Sequence, residues 1–393
     1  MRHIIQQHSL QQKTCGQSRR LRRTAIGSLV LSLWFLGTGW IMPGGAVGQQ
    51  PPDSAFTSRY NALVQRQAEL LYSDDALSTL RVQYTYAQLW YLYNDSRFTY
   101  WSYELNNIVP QLQTRPDLMS TAQDIASWLT QYSQQIFASS GATVWFNDWA
   151  QRWTETVRNV AGYTDLEQAT AQLLADFPAF AQYLSLNQEM ATKAATLFAD
   201  PTVAQTATQY AQAFANAVQE LLRQTSYEAV VEQFRTQLQA LLTADPTYQM
   251  LQGETQRITP ALTNLQQMIH DTVAYCAQFG YGDSCFDPSF NTSLQTVLPQ
   301  YNSDNNQVLM DAAELTETSN QFGHEFSQSA AFHSLQQAYL DTVQTTVAAV
   351  LPNLQQAQDD YTQNVINIPA VYAQVGELWS RMVELVQELG GAS

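Results

Sequence analysis

Apolar residues recur every three or four positions from about residue 53 to the C-terminus, and alternation at period two is nearly absent. That spacing is the helix period, so the pattern predicts an all-α fold. The predicted helices cover 53–72, 74–95, 97–109, 116–138, 143–160, 164–175, 178–198, 201–224, 226–243, 258–279, 303–322, 325–366 and 369–389. Amphipathic helices must bury their apolar stripes against one another, which calls for a multi-helix bundle or an elongated helical array.

Proline supplies the punctuation. Pro116, Pro178, Pro201, Pro246, Pro260 and Pro369 each precede an amphipathic run, where a first-turn proline loses no hydrogen bond. Asp200-Pro201 and Asp245-Pro246 read as an aspartate cap followed by that proline. The loosest stretch, 280–302, holds Gly280, Gly282, Pro288 and Pro299 and is the expected division between two subdomains, if two exist.

The longest apolar register lies near the C-terminus. Phe332, Leu335, Tyr339, Val343, Val347, Val350, Leu354, Ala357, Tyr361 and Val365 step by three or four. With 369–389 behind it, this run predicts a long C-terminal helical hairpin. Pro352 falls inside the run, and proline clashes with the preceding turn, so a kink or break is expected one turn earlier. The seam requires another helix against it. A homo-oligomer joined through such seams is one way to supply it.

The first 48 residues follow a different pattern. Ser18-Arg19-Arg20-Leu21-Arg22-Arg23 is basic, Thr24 to Met42 is apolar and uncharged, and Ala46-Val47-Gly48 is a small-residue site. Together they predict a secretory signal peptide over 1–48, cleaved before Gln49, and an extracytoplasmic domain over 49–393. The protein is then periplasmic or secreted. The alternative is an inner-membrane anchor made by the same segment left uncleaved.

Export changes the charge. The chain has 18 basic and 34 acidic residues, and six of the basic ones lie in the signal. Twelve minus 34 leaves −22 on residues 49–393, with Lys193 the one remaining lysine. Phosphate backbones and anionic lipid need clustered Lys and Arg, so nucleic acid and membrane surfaces are poor partners for such a chain. A basic partner or divalent cations suit the field better, with a merely solubilising acidic surface the rival reading. About forty-five glutamines fill helix faces that charged residues usually occupy.

Cys276 and Cys285 survive processing and enclose a segment with two glycines. In an oxidising compartment the pair reads as a structural disulfide.

Other constellations carry competing readings. Tyr84, Tyr86, Trp90, Tyr91, Tyr93, Phe98, Tyr100, Trp101 and Tyr103 point all round their helices, as in a buried core helix, or they line a groove for sugars or a peptide. Trp145, Trp149 and Trp153 recur every four residues and share one helix face. The stripe is a candidate aromatic binding surface, with packing against Trp128 and Tyr132 the rival reading. His270, His324 and His333 lack metal-ligand spacing, and Asn302, Asp304 and Asn306 lack the glycine of a calcium loop. No metal or cofactor is expected, and no catalytic residue can be named.

The functional expectation is a non-enzymatic helical cell-envelope protein, acting as scaffold, adaptor or binding module for a protein partner or envelope component. After signal cleavage it would hold no integral membrane span. The alternative is an all-helical envelope enzyme acting on cell-wall glycan through an acidic residue. It rests on aromatic richness and plentiful carboxylates.

Overall fold

The computed structural model describes residues 55–280, 282–286 and 299–389. The expected signal segment, 1–48, lies outside the described residues. Among those described there are fourteen α-helices, three short 3-10 turns and no strand. In chain order the helices are α1 (Ala55–Ser73), α2 (Asp75–Tyr93), α3 (Ser96–Ile108), α4 (Met119–Phe137), α5 (Ser140–Asn159), α6 (Tyr163–Asp176) and α7 (Pro178–Leu197). There follow α8 (Pro201–Arg223), α9 (Tyr227–Ala244), α10 (Pro246–Gln278), α11 (Pro299–Gln328), α12 (Ala330–Val347), α13 (Leu351–Ile366) and α14 (Pro369–Leu389).

The capping chemistry read from sequence sets many of these boundaries. The Asp74 carboxylate accepts from the amides of Ala76 and Leu77, Asp200 from Thr202 and Val203, and Asp245 from Thr247 and Tyr248. Pro178, Pro201, Pro246 and Pro369 are first helical residues. Pro260 is not. It sits inside α10, which starts a full 14 residues earlier at Pro246. One lost backbone hydrogen bond is outweighed there by the continuous apolar stripe on both sides of the proline.

The expected single helix over 325–366 is three elements. Ser329 ends α11 and caps α12, its hydroxyl accepting from the Phe332 amide. The chain leaves the helix again at 348–350, and Pro352 lies in the first turn of α13, one turn after the break, as its geometry requires. The C-terminal pair is therefore α13 and α14, joined across Asn367-Ile368, with α13 packed on α8 and α14 on α7.

The chain forms two compact units. The first combines Leu70–Tyr163 with Leu242–Gln328. Its core is a stripe on α10, Leu251, Ile258, Leu262, Leu265, Ile269 and Val273, set against Leu309, Ala312, Ala313, Leu315 and Phe322 of α11. Ala312 and Ala313 are fully buried; side chains this small let two helices approach closely. A polar lock stands beside this core. Arg81 of α2 meets the buried carboxylate of Glu317 on α11 at 2.6–3.0 Å through two nitrogens, and donates to the Leu71 carbonyl at 2.6 Å. The Arg81 guanidinium also lies 5.0 Å from the Tyr72 ring centroid.

The second unit is built from 55–69, Thr164–Leu241 and the chain from Ser329 onward. Met190 and Leu197 of α7 pack against Val371, Val375, Trp379 and Met382 of α14. Phe56 of α1 lies among Phe177, Phe180, Leu385 and Leu389. A third cluster joins Val343, Val347, Val350 and Leu354 to Val230 and to Val218, Leu221 and Leu222 of α8. Much of the long C-terminal seam is thus covered by helices of its own unit.

Candidate functional site

A cavity with a volume near 700 Å³ opens in the second unit. Four helices make its walls. Phe214, Val218 and Leu222 come from α8, a run of residues four apart, and Tyr339, Leu340, Val343 and Val347 come from α12. Leu354 and Gln358 of α13 and Tyr227 at the start of α9 complete it. The floor is aliphatic. The polar groups are glutamines, the tyrosine hydroxyls and one carboxylate, Asp341, to which the Gln337 side-chain amide donates at 2.8 Å. A few polar groups around an apolar floor, at this volume, is the make-up of a recognition site.

The tyrosines are fixed by their surroundings. Tyr339 packs its ring 4.4 Å from that of Phe234. Its phenol is pushed up to about 12, first by burial and then by its hydrogen bond to Tyr227. Phe214 stacks on Tyr361 at 5.0 Å, and burial raises the Tyr361 phenol as well. The cleft was not legible as a site in the sequence, because its walls come from segments more than 100 residues apart. The signal that existed was the interrupted seam at 339–354.

The tryptophan stripe lies on α5 in the first unit, with all three indoles half-buried. The Trp149 indole N–H donates to the Leu80 carbonyl of α2 at 2.8 Å, and its ring lies 4.5 Å from Tyr84 and 5.3 Å from Trp153. Trp145 packs edge-on against Phe146 at 5.0 Å. Trp128 stacks on Tyr132 at 4.6 Å and meets Trp101 at 6.3 Å. Trp149, the middle of the stripe, therefore packs on α2, where Trp128 and Tyr132 had been the expected partners.

The aromatic cluster of 84–103 is half-buried rather than a fully enclosed core; Trp101 is 36 % exposed. The fully buried residues of α2 are Leu77, Leu80, Ala87 and Leu89. Large rings with polar tips settle at the margins between packed helices, and smaller apolar residues take the centre.

Cys276 and Cys285 form a disulfide, with Cα atoms 5.8 Å apart. It ties the 3-10 turn Gly282–Phe286 to the end of α10 and puts Cys285 in the core. Gly280 turns the chain there with φ +81°, a conformation side chains disfavour. Phe286 is brought against Tyr100, and the Arg97 guanidinium lies 5.0 Å from the Phe286 ring centroid.

The histidines go to three separate places. His324 stacks on Tyr72 at 4.5 Å, and His333 sits 3.0 Å from the Ser329 carbonyl at the start of α12. The His270 ring is largely covered, with Glu104 2.7 Å from one nitrogen, Asp271 3.0 Å from the other, and Tyr100 stacked on it at 4.6 Å. Glu104 lies 166 residues away in the chain, a pairing that no local pattern announces. Next to it, the buried amide of Gln266 accepts from Asn106 and donates to Ser102, so α3 and α10 share a polar seam. Asp304 and Asn306 lie inside α11, which begins at Pro299. Among the described residues no three His, Cys, Asp or Glu side chains converge as a metal site would need. No helix there is long and apolar enough to cross a membrane.

Fold and cleft together define an all-α protein of two helical units. No protein-family model, curated protein or solved structure matches the chain.

Proposed function

We propose that this chain is an exported, non-enzymatic helical protein of the cell envelope that serves as a binding module or adaptor for another protein. The single observation that carries the reading is the cleft of the second unit, whose aliphatic, tyrosine and glutamine walls suit recognition. The export half rests on the basic, apolar and small-residue succession of 1–48. The Cys276–Cys285 disulfide accords with an oxidising compartment. On this reading the working protein begins at Gln49 and is periplasmic or secreted.

The test is a photo-crosslinking residue placed at Leu340, on the cleft wall, in intact cells. An adduct with a protein partner is expected. Adducts absent at Leu340, with the chain correctly exported, would refute the binding role of the cleft. N-terminal sequencing of the recovered protein checks the export half, and an intact chain in the inner-membrane fraction would contradict it.

The glycan-enzyme reading is favoured by one observation, the Glu104–His270 pair beneath Tyr100. Cell-wall hydrolysis by purified protein that disappears in Glu104→Gln would replace the adaptor reading with it.

A further inference from the structure

Four facts bear on what the cleft would hold. The first is its shape. The lining residues on α8 span 214 to 222 and those on α12 span 337 to 347. At roughly 1.5 Å per residue the walls are about 12–15 Å long, two to three helical turns. Ridges of residues four apart on α8, and three or four apart on α12, are the surface against which another helix packs.

The second is exposure. Leu340 stands on the cleft wall and is 42 % exposed, next to the buried Val343 and Val347. The third is local charge. Among the lining residues and their immediate chain neighbours, Glu228, Asp341 and Asp359 are acidic and exposed. Arg223 alone is basic there, and it is held by Glu220 at 2.9 Å. The fourth is the field of the whole chain, −22 over residues 49–393 on the charge count above. A second copy would bring the same sign to this face and be repelled, which argues against self-association here.

We infer that the cleft docks an amphipathic helix of a protein partner, with its apolar face on Phe214, Val218, Leu222 and Leu340 and basic residues flanking that face toward Asp341 and Asp359. This is helix-in-groove recognition with charges at the rim setting orientation. The inference rests on the adaptor reading and adds the chemistry of the partner.

The experiment titrates purified protein against a fluorescent 18-residue helix of leucine and lysine with one apolar face. Two control peptides have the same length: the leucine–lysine composition scrambled to abolish that face, and the leucine pattern retained with glutamate for lysine. The amphipathic basic peptide should bind at one per chain, and both controls at least about tenfold more weakly, as expected when packing and charge each contribute over a kcal/mol-scale step. Leu340→Trp, which fills the cleft from an exposed position, should weaken binding by about tenfold or more. Leu340→Ala should weaken it less, and serves if the tryptophan variant shows an altered circular-dichroism melt. Asp341→Asn should cost about two- to fivefold, the range of an exposed ion pair.

Equal binding of the scrambled peptide would mean charge alone and would overturn the inference. So would equal binding of the glutamate peptide, or no loss in either Leu340 variant. If dodecyltrimethylammonium below its micelle concentration saturates the cleft while the peptide does not bind, the occupant is a small amphiphile and the inference fails. A cellular adduct at Leu340 with no preference for the basic helix leaves the adaptor reading standing and removes this partner chemistry alone.

Discussion

Trp149 is the residue at which packing and binding roles separate most cleanly. Its indole is half-buried between α5 and α2, stacked near Tyr84 and Trp153, with its N–H on the Leu80 carbonyl. Truncating a fully buried Trp to Ala costs about 3–5 kcal/mol, so a half-buried one loses about half of that. The lost hydrogen bond adds about 0.5–1.5 kcal/mol net. It stays at the low end, because the Leu80 carbonyl lies inside α2 and keeps its helical partner. The aromatic pairs contribute about 0.5–1.5 kcal/mol beyond their area. Trp149→Ala should therefore destabilise the first unit by about 2.5–4.5 kcal/mol, or about 5–18 °C in melting temperature for a unit of this size. Trp149→Phe keeps the ring contacts and should recover more than half of that loss. Differential scanning calorimetry of the three proteins gives the values, and a pull-down on wall polysaccharide gives binding. A Trp149→Ala protein that melts within a degree or two of the parent and no longer binds polysaccharide would refute the packing argument. The stripe would then be a glycan platform.

Three further outcomes follow from the geometry. Glu317→Ala should cost about 3–5 kcal/mol in chemical denaturation, because it leaves the Arg81 charge part-buried without its carboxylate, and the double change Arg81→Met with Glu317→Leu should recover most of it. Asp95 caps α3 through the Phe98 amide and accepts from the Tyr132 hydroxyl, yet burial raises its pKa above the usual carboxylate value. A raised folded pKa means the protonated form is favoured on folding, so the stabilisation is present at acid pH and lost as pH rises through that value. Asp95→Asn keeps a capping oxygen and should be neutral or stabilising at pH 7, within about 1 kcal/mol; a clearly destabilised variant there would contradict the burial argument. Tyr339 follows the same sign at alkaline pH, its contribution being intact below about 10 and lost as pH rises toward about 12. Absorbance titration at 295 nm should show one fewer late-ionising phenol in Tyr339→Phe than in the parent.

The local architecture was legible in the sequence for a local reason. Helix period, aspartate caps and first-turn prolines act within a few residues, so Asp200-Pro201, Asp245-Pro246 and Pro369 mark real helix starts. The break before Pro352 was legible too, since ring and backbone clash wherever the helix would otherwise run through. The Cys276–Cys285 bond joins residues nine apart and follows from spacing. Pro260 misled, because the strength of a packed stripe decides whether a helix tolerates proline, and the partner of that stripe is α11. Ser329 was missed as a boundary, because the apolar register continues across it.

Sites depended on which helices meet, and periodicity is silent about that. An apolar stripe states that some partner exists and leaves its identity open. Arg81 with Glu317, His270 with Glu104, and the walls of the cleft each join residues more than 100 positions apart. Their meeting is fixed by the sum of many weak, non-directional apolar contacts over whole helix faces, which only the assembled tertiary structure evaluates. Thus the sequence by itself determined an all-α chain, its caps, its disulfide spacing and its acidity. Tertiary packing decided that the C-terminal seam would be covered by α8 and α9, and that a cleft of about 700 Å³ would open beside it.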